Sequence, residues 1–355
     1  MTNKQKDTGM KWVIIADIMI ALVVALLVTA SYIERNVKKQ EAENIAKAST
    51  QTSTSTSAPK NYDFDINITP LPCPDTKSNL DIVLITDENY IPYTQVAIKS
   101  AILAKCPQNI YNFHIMTLDV TQSSQKELQS LAEENVNINI LEQQEVDLFY
   151  IRGTHVSKTS LLKYYIANVL PNVDKALYID SDTLILQDLT NLYNTDIENK
   201  YLAAVKDPSW FFENYHVKEL GLEYRGFYFN SGVMLMNLKK IRDDNFIQAL
   251  EEYTNNNYRT YMDQDALNVL VKNDVVLLDV EYNTMNFFFD HNPIDVLAKF
   301  YNRQWQNYED VFKNATIIHF ASSKKPLSAT VNKTEFFYML QKLWHRYYKN
   351  LNLNN

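Results

Sequence analysis

Glycine is scarce, with five residues in a chain of 355. No GxGxxG or GxxxxGK(S/T) string occurs, so the glycine-rich loops that cradle phosphates on backbone N–H groups are excluded. Cysteine is nearly absent: Cys73 and Cys106 stand alone, with no CxxC spacing. That excludes a structural zinc site and indicates no disulfide framework, while a single Cys73–Cys106 bridge stays open to a domain in an oxidising compartment. Positive charge is in deficit, at a formal net −8. A nucleic-acid binder needs a basic surface for phosphates, so that class of partner is excluded too. What remains is 46% apolar and 21% charged, a globular balance, and the length suits one large α/β domain or two ordinary ones.

The first third reads differently from the rest. Residues 1–11 form a short tail before an apolar run, WVIIADIMIALVVALLVTASYI (12–33), interrupted only by Asp17. At ~1.5 Å per residue the run spans about 33 Å, enough to cross a bilayer core. It exceeds a signal-peptide core and no small-residue cleavage pattern follows, so it predicts a single transmembrane anchor. Lys4, Lys6 and Lys11 precede it and Arg35, Lys38 and Lys39 follow it, so flanking charge favours neither orientation. Residues 34–79, including the Ser/Thr run at 48–60, cannot bury a core and predict a disordered stalk. Sequons at Asn67, Asn314 and Asn332 suit a Golgi type II enzyme, and a bacterial inner-membrane enzyme fits equally.

From residue 80 the chain alternates apolar strands with helices. Strands are predicted at 81–86, 111–120, 137–143, 176–179, 201–207, 229–238, 275–283 and 316–321. Helices are predicted after DENY through Ala104, around 125–135, and at 158–170, 239–256 and 262–273. Such alternation implies an α/β domain over 80–330 with a mostly parallel sheet covered on both faces. Ligands then bind beyond the carboxyl ends of the strands. Two polar strings lie there: TDENY (86–90) and DSD (180–182). Residues i and i+2 of an extended segment share a face, so Asp180 and Asp182 repel unless a cation lies between them. A hard divalent ion such as Mn²⁺ or Mg²⁺ suits two carboxylates and substrate phosphates; the alternative is a solvated turn. Residues 331–355 carry an amphipathic helix whose Phe336, Leu340, Leu343, Trp344 and Tyr347 fall at helical spacings. That stripe either packs on the domain or lies on a membrane surface.

Five strings in order, IVLITDENY, LYIDSDTLIL, FNSGVMLMNL, MDQDALN and HFASSKKPL, resemble glycosyltransferase family 8 across roughly residues 81–327. These retaining enzymes include glycogenin and bacterial lipopolysaccharide glycosyltransferases. The resemblance implies a GT-A (Rossmann-like) nucleotide-diphospho-sugar transferase fold. It also implies a UDP-sugar donor, a saccharide or glycolipid acceptor, and Mn²⁺ (or Mg²⁺).

By the same resemblance Asp180, Asp182 and His319 would be the metal ligands. Thr86 and Asp87 would contact the uracil edge, Tyr90 would stack on it, and Asn89 would sit beside base and ribose. Lys325 would hold the donor phosphates, while Asp207, Asn230 and Ser231 would surround the donor sugar. Asp263 and Gln264 would face the anomeric carbon as catalytic residues. An amide oxygen is weakly basic, which favours front-side attack over a covalent intermediate on Gln264. Lys163 stands where many members carry arginine, keeping charge but losing the planar fork. Ser322 replaces a glycine, and Leu327 an aromatic residue. Two other readings compete. DSDTL loosely resembles a haloacid-dehalogenase phosphatase string, although its fifth residue is Leu184 and about 100 domain residues precede it. A non-catalytic, membrane-tethered sugar-binding relative is the second.

Overall fold

Ile82, Val83, Leu84 and Ile85 are four consecutive buried residues, so the strand that carries them must be covered on both faces. That strand, β1 (Asn79–Thr86), is an interior strand of a seven-stranded sheet. In this computed structural model the described residues are 71–143, 158–208, 214–257, 261–322, 324–328 and 334–351. The predicted anchor at 12–33 and most of the predicted stalk lie outside them. Among the described residues no helix is long and apolar enough to cross a membrane.

The other strands of the large sheet are β2 (Ile110–Thr117), β3 (Val136–Glu142), β4 (Lys175–Ile179), β6 (Leu202–Lys206), β7 (Phe229–Asn237) and β8 (Val275–Leu278). Their order is β3-β2-β1-β4-β7-β6-β8. All neighbours are parallel except β7, which runs antiparallel to both β4 and β6. The expected mostly parallel α/β sheet is therefore present. Alternation splits its apolar residues between two cores. Val83, Ile85, Tyr178 and Met234 face one; Ile82, Leu84, Leu177 and Val233 face the other.

A second sheet is small and decisive. It joins β5 (Thr183–Ile185), β10 (Ile317–His319) and β9 (Thr284–Met285) in the order β5-β10-β9. A third core lies beside it, where the helix Glu335–Leu351 buries Phe336, Leu340, Leu343 and Trp344. Trp344 meets Tyr93 at a ring-centroid distance of 5.6 Å and Phe336 stacks on Phe312 at 5.0 Å. The apolar stripe of that helix packs on the domain, not on a membrane.

The helix predicted around 125–135 lies earlier, at Gln122–Gln129, the strand predicted at 316–321 is shorter, at Ile317–His319, and three predicted elements differ in kind or continuity. The helix expected at 158–170 is a 3-10 helix, Lys158–Tyr165, followed by one α-turn, Ile166–Val169. The helix expected at 239–256 is two, Leu238–Asp243 and Phe246–Asn256, broken where Asn245 adopts φ 52°. Asparagine tolerates that left-handed conformation, so the chain can turn there. The strand expected to run to residue 283 stops at Leu278 and gives way to the 3-10 turn Val280–Tyr282. Residues 71–79, read as stalk, are bonded to the domain. Cys73 pairs with Cys106, the Leu71 N–H donates to Gln187 Oε1 at 2.8 Å, and the Ser78 N–H to Asn109 Oδ1 at 2.9 Å.

Candidate active site

The two aspartates do not continue a strand. β4 ends at Ile179 and β5 starts at Thr183, so Asp180–Asp182 form the corner where the chain leaves one sheet for the other. Ser181 Oγ donates to Ile85 O at 2.8 Å, and Thr183 Oγ1 donates to Asp180 O at 2.9 Å, which pins the corner to β1 and closes it. The carboxylates still converge, by turn geometry and not by strand alternation. The pairing of β5 with β10 then sets His319 opposite Thr183, and the Phe320 N–H donates to Asp182 O at 2.9 Å. His319 Nε2 lies 3.3 Å from Asp182 Oδ1 and 3.5 Å from Asp180 Oδ2.

Two lysines flank this trio. Lys325 Nζ donates to Asp182 Oδ2 and, at 2.7 Å, to Phe320 O. Lys163 Nζ, almost fully buried, sits 2.7 Å from Asp263 Oδ2 and 3.8 Å from Asp180 Oδ1. Burial pushes the Asp180 carboxyl up, against the opposing pull of Lys163 and His319. Burial also acts to raise Asp182, but Lys325 and the His319 hydrogen bond prevail and hold it well below the carboxylate range. For both lysines burial favours the neutral form, yet their carboxylate partners win and keep them charged, Asp263 beside Lys163 and Asp182 beside Lys325. Tyr178 OH donates to Asp180 Oδ1, fixing that carboxylate from the sheet side.

Asp207, Asn230, Ser231, Asp263 and Gln264 form one connected polar group next to it. Gln264 Oε1 accepts from the Ser231 N–H at 3.1 Å and from Asn230 Nδ2 at 3.0 Å, while Gln264 Nε2 donates to Asp207 Oδ2 at 3.1 Å. Asn230 Nδ2 also reaches Asp207 Oδ2 at 3.3 Å. Ser231 Oγ donates to Asp263 Oδ2 at 2.8 Å, so Lys163 and Asp263 link this group to Asp180.

A cleft with about 650 Å³ of empty space, counting its open mouth, runs from Asp180 and Asp182 to Thr86, Asp87 and Tyr90. Thr159 and Ser160 line its wall. Asp87 Oδ1 caps the turn Glu88–Tyr90 by accepting the N–H groups of Asn89 and Tyr90 at 3.0 and 3.2 Å. That holds the carboxylate at the cleft floor. Thr86 Oγ1 is buried and accepts from Thr94 Oγ1 at 2.8 Å; Asn89 is exposed. Tyr90 tilts against Tyr93, with ring centroids 5.3 Å apart.

The donor set of Asp180, Asp182 and His319 fits one divalent ion: its ligand atoms lie within 4.8 Å of one another. A second observation agrees. A Cβ on Gly232 would fall 2.2 Å from His319 Cε1 and 2.7 Å from Asp180 Oδ2, so the space these ligands occupy exists because that residue has no side chain. Sequence reasoning missed Gly232, although it stands inside FNSG, and missed Tyr178. It also missed Asn283, whose Oδ1 is 3.0 Å from His319 Nδ1. The glycine deficit was the available signal: with so few, each one inside a strand needs a reason.

The family model for glycosyl transferase family 8 matches residues 81–329. A putative glycosyltransferase of Haemophilus influenzae is 33% identical over 210 residues, covering 58% of this chain and 63% of its own length. The lipopolysaccharide 1,2-glucosyltransferase of Escherichia coli is 27% identical over 258 residues, 71% of this chain and 74% of its own. The chain thus spans less than two thirds of the Haemophilus relative, and of the pneumococcal glycosyltransferase GlyD it spans 28%. Among solved structures, the galactosyltransferase LgtC in complex with donor and acceptor sugar analogs superposes with a TM-score of 0.63 at 24% identity. That match covers 76% of this chain and 96% of LgtC, and it establishes the fold. The strand-corner carboxylates, the histidine delivered by the second sheet and the matched span agree: this chain belongs to glycosyl transferase family 8.

Proposed function

We propose that this transferase is a metal-dependent retaining enzyme that moves a hexosyl group from a UDP-sugar to a saccharide or glycolipid acceptor. One observation carries the reading: a single cleft is lined both by Asp180 and Asp182, the carboxylates that converge with His319, and by Thr86, Asp87 and Tyr90. A diphosphate at the trio would place a base over the Tyr90 ring, with the Asp87 carboxylate free to accept an imide N–H through Oδ2. An imidazole in the ligand set favours Mn²⁺ over Mg²⁺, which prefers oxygen alone. Bound there, the ion would act as a Lewis acid on the departing diphosphate.

The chain's own residues do the rest. Lys325, held against Asp182, supplies a fixed cation where phosphate charge grows. Gln264 Oε1 already accepts two hydrogen bonds, as many as its lone pairs allow, which supports a positioning and charge-stabilising role over a nucleophilic one. Front-side attack follows, the leaving phosphate taking the acceptor proton. Asp263 is neutralised by Lys163 and orients that lysine and Ser231. The apolar span at 12–33 would tether the domain to a membrane. The Cys73–Cys106 bond supports an oxidising side for it, which protease protection of intact membranes would check.

The test is a calorimetric titration of the full chain with UDP, with and without Mn²⁺, followed by donor hydrolysis. Metal-dependent UDP binding is expected, and Asp182→Asn should abolish turnover while leaving the fold intact by circular dichroism. UDP binding indifferent to metal, or turnover surviving in Asp182→Asn, would overturn the proposal.

A further inference from the structure

Two backbone N–H groups determine which nitrogen of His319 carries its proton. A backbone N–H can only donate, so the Asn230 atom 2.9 Å from Gly232 N must be the amide oxygen. Likewise the Gln264 atom 3.1 Å from Ser231 N must be its oxygen, which turns Asn230 Nδ2 toward it as donor. Side-chain amides are ambiguous in isolation, but these two are oriented independently and agree. Asn230 Oδ1 is also 2.9 Å from the Asn283 amide. Since Asn230 Oδ1 accepts, Asn283 must present its NH₂ there, and its oxygen is left facing His319 Nδ1 at 3.0 Å. Nδ1 therefore carries a proton, and Nε2 is the ring nitrogen that faces Asp180 and Asp182.

We infer that Asn283 is a positioning residue that locks His319 in the Nδ1–H form needed for metal ligation, and that Asn230 ties this lock to Gln264. The inference rests on the proposed metal site for its consequence, but the proton assignment stands on the hydrogen bonds alone. Asn283, Asn230 and His319 are all nearly or fully buried, so water does not substitute for a lost partner without rearrangement. The same chain of amides gives the ligand histidine and the residue at the anomeric carbon a common support. A shift of one is felt by the other through three hydrogen bonds.

Two variants test this, Asn283→Ala, which removes both bonds, and Asn283→Asp. The latter keeps the size and the acceptor for Nδ1–H but opposes an oxygen to Asn230 Oδ1. The first readout is the nitrogen-15 shift pattern of His319 in the metal-free full chain with labelled histidine. It should report Nδ1–H in the wild type and in Asn283→Asp, and mixed tautomers in Asn283→Ala. The second is Mn²⁺ affinity by calorimetry without nucleotide, which should weaken roughly 10–100-fold in Asn283→Ala and be largely retained in Asn283→Asp. An Nδ1 without its proton in the wild type, or unchanged Mn²⁺ affinity in a folded Asn283→Ala, would overturn the inference. Absence of Mn²⁺ binding in the wild type would instead overturn the metal-site reading, with the tautomer readout still deciding this one.

Discussion

Gly232→Ala is the smallest change that should disable this site, and its size can be worked from the structure. The new methyl carbon would stand 2.2 Å from His319 Cε1 and 2.9 Å from Nδ1, against about 3.5–4.0 Å for carbons at rest. The imidazole must therefore retreat by about 1.3 Å or more to relieve the first contact. Gly232 is not among the residues with positive φ, so alanine meets no backbone strain there and the effect is one of space alone. His319 is nearly buried and held by Asn283, which leaves the ring no free direction. Metal–ligand distances tolerate about 0.2 Å, so Nε2 would leave the coordination sphere. We expect Mn²⁺ affinity to fall by about 100-fold and turnover by a comparable factor. The overpacking itself should cost about 1–3 kcal/mol of stability. Calorimetry with Mn²⁺, denaturant melts and donor hydrolysis read the three quantities. A variant that binds Mn²⁺ within threefold of the wild type would refute the placement of the ring.

Three other outcomes follow from the same geometry. Lys163→Met leaves the buried Asp263 and the half-buried Asp180 without their shared cation, so stability should fall by about 3–5 kcal/mol in urea melts, more than for an exposed ion pair. Trp344→Ala should cost about 3–5 kcal/mol because the indole is fully buried between Tyr93 and Tyr348, and the loss should appear as a lower melting temperature without any membrane present. Asp188 is pressed upward by burial but held below the carboxylate range by the Cys106 N–H, Thr190 and Tyr111. Its folded value is depressed, so its stabilisation is present above the ordinary carboxylate range and is lost as pH falls below it. In Asp188→Asn the acid limb of stability against pH should flatten.

The central strands were legible because each is buried on both faces and reads as an unbroken apolar run, as in Ile82–Ile85. The corner at Asp180–Asp182 was legible as chemistry but not as geometry. Alternation along one strand would have aligned the pair, whereas the chain switches sheets there and hydrogen bonds from Ser181 and Thr183 do the aligning. The 3-10 helix at Lys158–Tyr165 escaped notice because its apolar residues also fit a 3.6 period. With three residues per turn, Ser160 and Lys163 lie on one face, one lining the cleft and the other reaching Asp180. Asn283 was invisible for another reason. An asparagine's role depends on which groups its amide meets, and both of these arrive from elsewhere in the chain.

The crossing from the large sheet to the small one has a consequence for biosynthesis. Asp182 and Lys325 are separated by 143 residues, and His319 arrives only shortly before the lysine. At the usual elongation rate of 5–20 residues per second, the aspartate corner is made roughly 7–29 s before its partners. During that interval β4 can pair with β1, but β5 has no β10 to receive it. A nascent chain therefore carries its acidic pair before the strand that sets His319 opposite Thr183 has been made.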